Sequence, residues 1–175
     1  MDVPKELQPV TTTDILLPNG STIALHVSRL VFPIWNGAPL AFDYRKKSAV
    51  IDYKGKAYFA ELAILDMLLE YGWNGVWVDS FGRKFRIGLP KVMEPVSLLS
   101  NKEELLKKIW VAAGTKACFD VFAWRGDKIL FCEAKRIGKD KLTKAQPRFI
   151  EGALACGISV ESLLVVEWDF FKTGR

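Results

Sequence analysis

Apolar and polar positions alternate through the first third of the chain and then switch to helical spacing. "TDILLPNGSTIALHV" (13–27) is two apolar runs around a Pro-Asn-Gly turn, the pattern of a hairpin. "SAVIDYKGKAYFA" (48–60) offers a further strand and a Lys-Gly-Lys turn. Residues 57–71, "AYFAELAILDMLLEY", are rich in helix formers and predict a helix stopped by Gly72. "GVWVDSFGRKFRIGL" (75–89) predicts two strands around Gly82. "NKEELLKKIWVAAG" (101–114) predicts a helix with Asn101 as N-cap, Glu103 and Glu104 in its first turn and Gly114 at its end. A hairpin over 117–134 follows, then a helix in "LTKAQPRFIEGALACG" (142–157) and a last strand in "SLLVVEWDFF" (162–171). Thr143 and Gln146 have capping-box spacing, while Pro147 also fits the first turn of a later start.

The hairpin carries polar residues where apolar ones are expected. A two-residue turn at Gly126-Asp127 is of the type II′ kind, with Gly first. That register sets Arg125 opposite Lys128, Val121 opposite Cys132 and Asp120 opposite Glu133. Directly opposed residues share a face, with Cβ atoms roughly 4.5–5.5 Å apart. Two carboxylates so close raise each other's pKa unless a cation lies between them. Lys135 lies on the same face, two residues on. Hard oxygen ligands suit Mg²⁺ or Mn²⁺, and a nearby lysine can hold water or neutralise developing charge. The bland alternative is a surface ladder of salt bridges. Glu61 adds a further carboxylate: Ile64, Leu65 and Leu68 lie three, four and seven residues on, so it interrupts an apolar helix face.

Composition narrows the chemistry. The 175 residues suffice for one core and hold no apolar run long enough to span a bilayer. The single histidine, His26, argues against zinc sites and Ser-His-Asp triads. Three cysteines, Cys118, Cys132 and Cys156, without CxxC spacing or a signal-peptide pattern, imply reduced thiols and a cytoplasmic setting. The formal charge of +5 is concentrated in residues 128–148, which implies a polyanionic partner or, more plainly, a solvated basic loop.

Asp120, the hairpin, Glu133-x-Lys135 and the earlier Glu61 together resemble the PD-(D/E)XK nuclease superfamily. "CEAKRIGKDKLTKAQPRFIEGALACGI" (132–158) is similar to its VRR-NUC branch, in which Glu-x-Lys leads through a basic loop to Leu-(Ser/Thr)-x-x-Gln on a helix. "GRKFRIGLP" (82–90) is similar to the segment before that family's metal-binding Asp. The resemblance covers about 57–168 and departs in two places: Phe119 stands where the family has Pro, and residues 91–116 intervene as a helical insertion. It implies an α/β (α+β) class, restriction-endonuclease-like, with a mixed β-sheet flanked by helices. Residues 51–175 would form the core and 1–50 an N-terminal β-rich extension.

The resemblance further implies metal binding by Glu61, Asp120, Glu133 and the Ala134 carbonyl, with Lys135 orienting water and Gln146 steadying Lys135 or a phosphate. The reaction would be Mg²⁺- or Mn²⁺-dependent hydrolysis of DNA. The basic residues Arg83, Lys84, Arg86, Arg136, Lys139, Lys141, Lys144 and Arg148 would contact phosphates. Small stand-alone members of the family suggest a homodimer. The competing readings are a non-catalytic nucleic-acid-binding or assembly subunit and an RNA-directed nuclease.

Overall fold

The structure, a computed structural model, describes residues 1–40, 49–80 and 83–171. The first hairpin forms as the alternation predicts, with β1 (Thr11–Leu16) antiparallel to β2 (Thr22–Phe32). Its turn uses Gly20 at φ +86°, a region that favours glycine. A separate small hairpin joins β3 (Ile51–Tyr53) to β4 (Lys56–Tyr58). Helix α1 then runs over Ala60–Glu70. It starts three residues later than the sequence predicts, because β4 takes Ala57 and Tyr58. Its end matches expectation: the Gly72 N–H donates to the Leu69 carbonyl and the Trp73 N–H to Leu68, both at 3.0 Å, which closes a Schellman motif.

Strands β5 (Asn74–Asp79) and β6 (Lys84–Arg86) pair antiparallel. The turn expected at Gly82 lies outside the described residues. Helix α2 covers Ser100–Ala113, with Leu99 as N-cap. Asn101 is therefore inside the first turn, which corrects its predicted capping role. The second hairpin is β7 (Val121–Arg125) and β8 (Lys128–Arg136). Its register is the predicted one, and Gly126 sits at φ +58° at the first turn position. Helix α3 (Ala145–Ala155) and β9 (Leu163–Phe170) follow.

Seven strands form one mixed sheet in the order β1-β2-β9-β8-β7-β5-β6. β9 runs parallel to both β8 and β2, and the other neighbours are antiparallel. The N-terminal strands thus extend the main sheet beside β9. Helix α1 covers one face through Leu62, Ile64, Leu65 and Leu68, which pack on Trp77, Val121, Cys132 and Val166. Helices α2 and α3 cover the other face through Leu106, Ile109, Phe149 and Ile150, against Phe122, Phe131 and Val165. Burying each such side chain is worth about 1.5–3 kcal/mol. The segment expected as an insertion therefore supplies part of the core layer. Among the described residues no helix is long and apolar enough to cross a membrane.

Candidate active site

The polar cluster forms where β7 begins and β8 ends, on the face covered by α2 and α3. Asp120 immediately precedes β7, and its geometry is set from three sides. Phe119 is fully buried and packs on Phe149 of α3, with ring centroids 5.3 Å apart. The Val78 N–H of β5 donates to the Asp120 carbonyl at 2.7 Å. Across the hairpin, the Ala134 N–H donates to Asp120 Oδ2 at 2.9 Å and the Asp120 N–H donates to Glu133 Oε2 at 3.2 Å. Each carboxylate is thus held by the backbone of the opposite strand. Phe119 acts as the anchor of the Asp120 loop, because its ring locks that loop to α3.

Glu133 is 2 % exposed and Lys135 16 %, so the pair is no surface ladder. Lys135 Nζ donates to Glu133 Oε1 at 2.6 Å. The Gln146 amide, in the first turn of α3, donates to the same oxygen at 2.7 Å. Gln146 Oε1 in turn accepts from the Thr143 N–H and hydroxyl, both at 2.6 Å. The residues with capping-box spacing are therefore joined, but Lys144 rather than Thr143 is the N-cap and makes no side-chain capping bond; the Thr143 link aims Gln146 at Glu133. Its helix starts at Ala145, and Pro147 falls in the first turn, where a missing N–H costs no helical bond.

The electrostatics follow from this packing. Burial holds the Asp120 carboxyl well above the usual carboxylate range, and the charges of Glu133 and Glu61 push it further. Burial also raises Glu133, against the opposing pull of Lys135, Gln146 and the Asp120 N–H. Burial pulls Lys135 down, but Glu133 and Asp120 outweigh it, and its ammonium is stabilised. The donor chemistry fits a hard divalent cation. Two carboxylates with no histidine or thiolate beside them disfavour each other's charged form, and added positive charge relieves this. Glu61, in the first turn of α1, is near enough to raise Asp120. Even so, among the described residues no three acidic, His or Cys side chains form a ready ligand group. Cys118 and Cys132 are buried with raised pKa, the pattern of inert core thiols, and Cys156 is half-buried.

The basic residues divide into three groups. Lys139, Lys141, Lys144 and Arg148 are exposed on the loop after β8 and the start of α3. Arg83 and Lys84 are exposed at β6. Two others have structural partners. Arg86 Nε bonds fully buried Asp79 at 3.0 Å and is itself only 12 % exposed, so an ion pair inside the fold takes its charge. Arg136 lies over the rings of Phe170 and Trp168, at 4.6 and 5.7 Å, and 3.6 Å from Asp169. Trp110 and Lys116, which no local sequence signal marked, line a cleft beside Asp79. No family model matches the chain, and neither the curated proteins nor the solved structures contain a match.

Proposed function

We propose that the chain is a Mg²⁺- or Mn²⁺-dependent endonuclease acting on DNA, built on a restriction-endonuclease-like core. The observation that carries this reading is the convergence of Asp120, Glu133, Lys135 and Gln146 at one end of the sheet. The mixed sheet flanked by helices supports it, because that is the fold the resemblance implies. Asp120, Glu133, the Ala134 carbonyl and Glu61 are the oxygens that would hold the metal, which when bound polarises the phosphoryl oxygen and activates water.

The chain's own residues do the rest. Lys135 is stabilised as ammonium, so it donates to the attacking water or the phosphate and serves as an electrophile, not as a base. Gln146 is a positioning residue: it holds Glu133 Oε1 from an anchored helix start. The exposed cations at 139–148 and 83–84 draw in the phosphate backbone. A binding subunit without catalysis is favoured by one observation, that Glu133 Oε1 already accepts from both Lys135 and Gln146.

Cleavage of single-stranded, duplex, flapped and four-way DNA, with an RNA lane, under Mg²⁺ or Mn²⁺ tests the proposal. Divalent-dependent cleavage is expected, with Asp120→Asn and Glu133→Gln each losing turnover. Lys135→Ala should lose turnover while keeping most binding. Wild-type turnover in Glu133→Gln would remove the assignment. Light scattering of the intact chain tests the proposed homodimer.

A further inference from the structure

A cleft of about 440 Å³ opens where β5 and β6 meet the end of α2. Its size falls in the roughly 300–1,000 Å³ range of small-ligand sites. Arg83, Lys84 and Lys116 line it, and all three are exposed. The acid in its wall, Asp79, is fully buried and bonded to Arg86, so its charge is answered from within the fold. The side presented to a ligand is therefore positive. Phe85 and Trp110 supply an aromatic wall. The Trp110 indole N–H donates to the Ala117 carbonyl at 3.0 Å, which fixes the ring where it lines the cleft.

Cations beside a pinned indole are the chemistry a nucleotide requires: the phosphate meets ammonium and guanidinium groups, and the base stacks on the ring. A base inside continuous duplex has both faces covered by its neighbours, so an internal base must be unpaired to stack there. The location fits a strand entering the candidate site. Val78, in the cleft wall, donates its N–H to the Asp120 carbonyl at 2.7 Å. The cleft is therefore next to Asp120 on the β5 side. The basic loop over 139–144 follows β8, on the other side of the pair.

We infer that this cleft holds an unpaired nucleotide adjoining the phosphate presented to Asp120 and Glu133. The substrate class is then DNA with a single-stranded segment at the cleavage point, not continuous duplex. The link to cleavage rests on the nuclease reading, whereas the binding itself does not. Fluorescence anisotropy of the full chain in EDTA therefore tests it, with a blunt duplex and the same duplex carrying a short overhang as probes. The overhang should bind more tightly, and Trp110→Ala should remove about fivefold or more of that preference. Trp110 also packs in the core, so Arg83→Gln/Lys116→Gln, at exposed positions, gives a second measurement. It should weaken overhang binding and flatten the log K against log salt slope by about 1.5 units. Equal wild-type affinity for the two probes, or an unchanged slope in the double variant, overturns the inference. Overhang preference with no cleavage of any substrate would defeat the nuclease reading and leave this one standing.

Discussion

A carboxyl held against the β8 backbone titrates differently from one in water. Burial first, and neighbouring charge second, raise Asp120, and burial raises Glu133. From the ordinary carboxylate pKa of about 4 up to the raised values, the folded chain carries more protons at these sites than the unfolded one. Stability at these sites is therefore fully present below that window and falls as pH rises through it. Thermal melts in EDTA should show Asp120→Asn gaining stability relative to the parent at pH 8 and losing that advantage near pH 4. A difference independent of pH would mean that the fold does not raise the Asp120 carboxyl. Arg86 gives a second residue-level outcome. Arg86→Gln removes the cation paired with buried Asp79 and should lower the unfolding free energy by about 3 kcal/mol, whereas exposed Lys84→Gln should change it by less than about 0.5. Urea titrations of both variants decide whether Arg86 serves the fold. Its sequence neighbours gave no warning, because Asp79 reaches it across a strand pair rather than along the chain.

Elements with strong local signals were legible in the sequence. The Gly126-Asp127 turn fixed the β7–β8 register and so the Asp120–Glu133 opposition. Gly72 and Gly157 marked the ends of α1 and α3 through left-handed backbone at φ +87° and +83°. The place of α2 was not legible. It buries only Leu106 and Ile109 fully, so its pattern reads as a surface insertion. What draws it into the core is a distant glycine. A Cβ on Gly152 of α3 would lie 2.7 Å from both Ala113 Cβ and Ala113 N, and 2.8 Å from the Ile109 carbonyl oxygen. Gly152→Ala should cost about 1–3 kcal/mol, read as a lower urea midpoint. Ala113→Gly in the same chain should restore only part of it, since the two backbone contacts remain. A Gly152→Ala midpoint equal to the parent's would show that α2 can move aside freely.

At the scale of the molecule, the first strands share one sheet and both apolar layers with the rest of the chain. Leu30 and Phe32 of β2 join the α1-side core, and Leu25 and Val27 join the opposite one. Removing residues 1–32 should expose the β9 edge and two apolar layers, giving aggregation or loss of a cooperative melt. A truncated chain that melts cooperatively near the parent's midpoint would make the first strands an appendage. This part of the architecture was hidden because strand pairing across the sheet leaves no local trace: alternation predicts that β1 and β2 are strands, not which strand they join.

The parallel pairing of β2 with β9 has a consequence for how the chain is made. Arg29 of β2 meets Glu167 of β9 across a sequence separation of 138 residues. During synthesis at roughly 5–20 residues per second, the first hairpin waits about 7–28 s before its neighbour emerges from the ribosome. Its apolar faces stay open throughout, and the final closure is a long-range pairing of the slow kind. The nascent chain is therefore expected to engage holdases until β9 emerges, and its soluble yield with and without a co-expressed holdase checks this.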